Sequence, residues 1–248
     1  MKHRYRHLIL LIPWFIALIG YFGPWIAREP VSAALSWNAH DLFTLLRLLP
    51  EIETGTLSVN LQTLQLPLLG LALLLPILLA RSRPAARALA AIISSGLAAM
   101  TLPPYPQIVT AWRTPGWRVP FWWAIGVQLC VLALACLGPR LAPPMVATRP
   151  ARYWGWASLV VVQLAAIPPA ATLTRLIPAL AQLHAAPVKP GWGFWCCLGG
   201  FSVIGVAQLY QASIRGQNAY HPGRQQTEKE VTTANGNLPN NGNTCQRI

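Results

Sequence analysis

No aspartate or glutamate occurs between Glu53 and Glu228. The residues between them are mostly Leu, Ala, Ile, Val, Pro and Trp. Such a run cannot cover a soluble domain, whose surface normally carries both signs of charge. A chain that is 54% hydrophobic and only 10% charged belongs in a bilayer. The same absence removes, over most of the chain, the side chains that proton relays, acid/base pairs and hard metal sites most often use.

The formal charge of +13 does not point to nucleic acid. Basic residues fall in short groups between apolar runs: Lys2, Arg4 and Arg6; Arg81, Arg83 and Arg87; Arg140, Arg149 and Arg152; then Arg215, Arg224, Lys229 and Arg247. Cytoplasmic connections of a multi-pass protein acquire this spacing by the positive-inside rule, with contact to anionic lipid as a by-product. Arg28, Arg47, Arg113, Arg118, Arg175 and Lys189 then fall outside. Both termini are therefore expected in the cytoplasm and the chain in the inner membrane. Trp25, Trp37, Trp112, Trp117, Trp122, Trp123, Trp192 and Trp195 gather near the outer boundary, and Tyr153, Trp154 and Trp156 mark the inner one.

Crossing ~30 Å of hydrocarbon takes roughly 20 apolar residues. Six segments are candidates: residues 8–27, 64–80, 88–108, 119–137, 153–176 and 192–214. The expectation is an all-α integral membrane protein, a bundle of about six helices over residues 1–215, followed by a disordered cytoplasmic tail, 216–248, rich in Asn, Gln, Gly and Thr. The first segment follows a basic start, as a signal peptide would. Pro13, Trp14, Tyr21 and Trp25 make an untidy apolar core, and a retained span is expected, although Val31-Ser32-Ala33-Ala34 leaves cleavage open. Prolines 67, 76, 103, 104, 106, 168, 169 and 178 are expected to kink or break their spans. Broken helices free backbone carbonyls, which are tolerated where they line a cavity.

The longest external connection, residues 28–63, holds Glu29, Asp41, Glu51 and Glu53. Within it a short helix is expected from Asn38, which can cap it, with Asp41 in the first turn and Pro50 ending it. Its many leucines require it to lie in the interface or to pack on the bundle. From Leu57 to Leu68 the pattern fits a strand and a helix equally well. His40, Asp41, Arg47, Glu51 and Glu53 are the candidate docking loop for another protein. His40 and Asp41 diverge on a helix and make a poor catalytic dyad.

Within the spans, Ala86, Ala90, Ser94 and Ala98 recur every four residues, which lets a neighbouring backbone approach closely. Ser94-Ser95-Gly96 invites the alternative of an intramembrane serine protease. That chemistry needs a base beside the serine, and the one candidate histidine, His184, is expected in the connection after the fifth span. Gln128, Gln163 and Gln208 put one amide in each of the last three spans, and Arg175 lies near the outer end of the fifth; together they are the candidate polar or transport site. Cys130, Cys136, Cys196, Cys197 and Cys245 include no pair with a two-residue gap, so packing is their expected role. No cofactor or metal set is legible.

The run Gly20-Tyr-Phe-Gly-Pro-Trp25, followed by Leu48-Leu49-Pro50-Glu51, resembles a group of uncharacterised bacterial multi-pass membrane proteins. The resemblance covers the first quarter of the chain and implies no activity and no catalytic residues. Physically, Gly23-Pro24 can end the first helix while Tyr21, Phe22 and Trp25 anchor it at the interface. The sequence thus leads to a non-enzymatic subunit or accessory factor of a membrane assembly, with the bilayer and other membrane subunits as partners. A small transporter or lipid-handling protein for a neutral or anionic solute is the second reading.

Overall fold

The computed structural model describes residues 9–28, 36–46, 59–80, 82–102, 107–141, 148–183 and 186–220. The chain is mostly helical: α1 (Leu11–Phe22), α2 (Ala39–Leu46), α3 (Leu66–Leu79), α4 (Pro84–Ala99), α5 (Pro115–Leu141), α6 (Thr148–Leu183) and α7 (Trp192–Tyr220). Short 3-10 turns cover Leu61–Gln65 and Gln107–Val109, and two three-residue strands, β1 (Ile26–Arg28) and β2 (Val188–Pro190), pair antiparallel. Four helical stretches are long and apolar enough to cross a membrane: Leu61–Leu79, Trp117–Cys136, Gly155–Gln182 and Trp192–Tyr210. Two apolar helices, α1 and α4, are shorter than that.

Both short helices have local causes. α1 stops at Phe22 because Pro24 offers no amide hydrogen to Gly20 O; Gly23 turns extended (φ −75°, ψ 168°) and returns its N–H to Ile19 O at 2.8 Å. The Trp25 indole Nε1–H then fills the vacancy, donating to Gly20 O at 3.0 Å. α4 tightens into i→i+3 bonds at Thr101 and Leu102, just before Pro103, and its helix ends well short of residue 108. Elsewhere helices run longer than the sequence pattern suggests. α6 continues without a break through Pro168, Pro169 and Pro178, and α3 through Pro76, where a kink or a break was expected. Each proline removes one donor, yet both helices pack against several others, which holds them in place. At 36 residues α6 is about 54 Å long, so it tilts or projects beyond the hydrocarbon layer. α7 runs through Gly216 to Tyr220, past the expected start of the tail; the rest of that tail lies outside the described residues.

α3 is the central helix, packed by α4, α5, α6 and α1. α1 and α7 form the tightest pair. They are antiparallel, and glycines let their backbones touch. A Cβ on Gly20 would meet the Cys197 amide and lie 2.7 Å from Gly193 O, and one on Gly193 would lie 2.7 Å from Gly20 O. One on Gly200 would lie 2.6 Å from Pro13 O. The pairing continues past the helix ends. Gly193 N–H, one of the amides at the α7 start with no partner in its own helix, donates to Pro24 O at 2.9 Å. Gly191 N–H donates to Trp25 O at 2.7 Å, and then β1 and β2 join in the register Ile26↔Pro190 to Arg28↔Val188.

Two expectations about aromatic residues are corrected by this pairing. Tyr21 and Trp25 are fully buried in the core rather than anchored at the interface; of that trio only Phe22 is exposed. The physical reason is the indole bond to Gly20 O, which folds Trp25 back onto α1 and α7. Trp112, Trp122, Trp123, Trp156, Trp192 and Trp195 are exposed.

Candidate functional site

The buried polar side chains gather mainly at one end of the bundle. Where α3 begins and α4 ends lie Gln65 and Thr101; Thr172 comes in from α6, and Ser94 sits two turns back along α4. Thr63 Oγ1 and Thr172 Oγ1 are 2.6 Å apart. Thr63 also reaches Asn60 O at 2.7 Å. A hydroxyl has one proton to give, so with Thr63 donating to Asn60 O, Thr172 donates to Thr63. Gln65 Nε2 donates to Thr101 O at 3.3 Å, and Thr101 Oγ1 donates to Ala98 O at 2.7 Å. This cluster ties the turn Leu61–Gln65 to α4 and α6 by neutral groups alone. It can bind a neutral hydroxyl or amide, and it has no group that titrates near neutral pH.

Deeper in the bundle, Gln128 Nε2 on α5 donates to Ser95 Oγ on α4 at 2.7 Å. Beside it, Ala90, Ser94 and Ala98 are buried and Ala86 is half-buried, with Ser94 Oγ enclosed and without a hydrogen-bond partner. The other sequence-derived candidates are apart from this. Gln163 and Arg175 are exposed on α6, and Gln208 is half-buried on α7. No hydrogen bond among the described residues joins any two of Gln128, Gln163 and Gln208, so the amides form no common hydrogen-bonded site.

In the connection between α1 and α3, Asn38 Oδ1 accepts the Asp41 N–H at 2.8 Å, the side-chain cap that starts α2. Ala39, Leu42, Phe43 and Leu46 are buried against the bundle. Asp41 is exposed; His40 is half-buried, its Nδ1 enclosed and without a partner. Arg47, Glu51 and Glu53 lie outside the described residues, as does the ambiguous stretch up to residue 58. Of its described part, Leu61–Gln65 is a 3-10 turn and residues 66–68 open α3, so the helical alternative holds there and the strand does not.

Sequence reasoning overlooked Trp14 and the glycines of α7. Trp14 is buried mid-bundle and its Nε1–H donates to Leu71 O of α3 at 3.0 Å. Gly20, Gly193 and Gly200 carried a signal, small residues in two separate spans, but nothing in the sequence paired them. Cys130 and Cys136 are exposed, Cys196 half-buried and Cys197 buried, all free thiols; Cys245 lies outside the described residues. Among the described residues no group of three His, Cys, Asp or Glu could hold a metal ion.

Apolar helices of membrane-crossing length mark a helical membrane protein. Comparison with family models, curated proteins and solved structures finds no match.

Proposed function

We propose that this chain is a non-enzymatic subunit or accessory factor of an inner-membrane assembly, crossing the bilayer six times with both termini in the cytoplasm. The six-span reading takes the short helices α1 and α4 as spans, since each packs along a longer apolar helix. The orientation follows the basic connections.

The observation that carries the reading is Gln163. Its amide is exposed on α6 between Val160, Leu164 and Ile167, all more than half exposed, and it makes no hydrogen bond to a described residue. Along the helix it stands about 10 Å from Trp156 and about 18 Å from Arg175, hence within the hydrocarbon layer. An amide facing lipid alone forfeits the hydrogen bonds it makes in water. A neighbouring transmembrane chain with a donor or acceptor at that depth restores them.

Native mass spectrometry of protein gently extracted from its own membrane tests this. A stoichiometric protein partner is expected, with Gln163→Leu loosening it while leaving the thermal stability of the isolated chain unchanged. Recovery of the wild type as a lone species would sink the reading. The second reading, a small transporter or lipid-handling protein, is favoured by the buried polar cluster around Thr172. It requires water to reach that cluster. A Thr172→Cys variant that reacts quickly with a small hydrophilic thiol reagent would favour it; protection favours the subunit.

A further inference from the structure

We infer that α6 pairs two copies of this chain in the membrane, through a reciprocal set of hydrogen bonds at Gln163. The pairing rests on the subunit reading, whose neighbouring chain it identifies. Trp156, Val160, Gln163, Ile167, Ala171 and Thr174 are exposed and recur every three or four residues, so they form one stripe along α6. The stripe runs for about 27 Å, most of the hydrocarbon thickness. No charged residue falls between Arg152 and Arg175, so two copies of this basic chain meet there without like charges inside the layer.

Two groups in the middle of that stripe lack a partner within one copy. Gln163 makes no hydrogen bond to a described residue. One residue on, Leu164 O has lost its helix donor, because Pro168 has no amide hydrogen, and Pro169 after it has none either. Leu164 is 56% exposed, and no side chain among the described residues donates to its carbonyl. Lipid tails satisfy neither group, and a carbonyl freed within a span is tolerated where protein or water meets it.

A second copy has what both groups lack, at the right level. All copies insert with the same topology. A two-fold axis along the membrane normal therefore sets α6 parallel to α6, with Gln163 at one depth in both. Side chains of helices packed in this way insert among four residues of the facing helix. For Gln163 these include the second copy's Gln163 and Leu164. A primary amide has two donors and an acceptor. One N–H of each Gln163 then reaches the other's Oε1, and the second N–H reaches the other's Leu164 O. The set closes with nothing unpaired. A different protein would need donors and acceptors placed at that same depth, whereas a second copy has them by symmetry.

The test uses the purified full chain in phosphatidylcholine vesicles at graded protein-to-lipid ratios, with monomer and dimer read by native mass spectrometry. A dimer is expected, and Gln163→Leu should weaken it about tenfold. Gln163→Asn, which keeps the amide, should lose less. Leu132→Ala, on the exposed face of α5, should leave the dimer unchanged. In the membrane, Gln163→Cys should cross-link to a dimer on treatment with copper phenanthroline; the wild type, whose exposed thiols Cys130 and Cys136 are on α5, should not. A purified chain that is monomeric at every ratio overturns the pairing, as does a dimer that Gln163→Leu leaves intact or a wild-type cross-link. If that monomer still carries another protein out of its own membrane, the subunit reading stands with a different neighbour. Recovery from that membrane as a lone species sinks both.

Discussion

α3 and the apolar stretch of α5 are almost equally hydrophobic, with mean hydropathy 1.8 over Leu61–Leu79 and 1.9 over Trp117–Cys136. Yet 72% of the first window is buried inside the protein and only 17% of the second. In water such helices would both be driven into a core. In a bilayer the lipid is as apolar as leucine, so hydrophobicity selects the phase and leaves the neighbours unspecified. Close contact selects the neighbours. α3 offers Gly70 to Ala165 of α6 and a backbone carbonyl to Trp14, while Gly126 on α5 has open space where a side chain would go.

The largest effect should come from filling the α1–α7 contact. Gly193→Leu pushes a side chain into the Gly20 and Gly23 backbones. It should cost ~3 kcal/mol or more and lower the midpoint of thermal unfolding in detergent by about 6–12 °C. Gly126→Leu, an identical substitution facing open space, should stay within about 0.5 kcal/mol. Similar losses for both would break the contrast between the two helices.

A middle-sized effect is expected at Trp25. Replacing it by Phe removes the donor to Gly20 O, a carbonyl that Pro24 cannot serve, at a cost of roughly 1–3 kcal/mol. Restoring an amide with Pro24→Ala in the same chain should recover part of that loss, because residue 24 could then complete the helix bond. Absence of any recovery would argue that the indole acts by packing alone. The smallest effect belongs to the loosely held side of the bundle: Gln128→Leu, which breaks the bond to Ser95, should cost about 0.6 kcal/mol. A cost as large as that at Trp25 would show that α5 is held by hydrogen bonding rather than sitting as a lipid-facing neighbour.

The outline of the fold was legible in residues. The run without carboxylates, the apolar segments and the Asn38 cap are local signals, and each acts through residues close in sequence. Span boundaries were less legible. Gly23-Pro24 was visible as a stop, but the stop before Pro103 and the continuity of α6 through three prolines depend on what packs beside each helix. The candidate site was legible only as residue types. Gln128 reads as an amide in a span; that it meets Ser95, while Gln163 faces outward, requires knowing how α4, α5 and α6 rotate about their axes.

Sequence alone determined that this chain resides in a membrane, since partition into lipid sums over residues one at a time and needs no knowledge of neighbours. It also fixed the absence of internal counter-charge, because composition cannot be altered by folding. Only the tertiary structure decided that Tyr21 and Trp25 turn inward, that α1 and α7 meet through their glycines, and that α3 is enclosed while α5 is left bare. Those outcomes depend on steric fit between residues tens to well over a hundred positions apart, which no local pattern encodes.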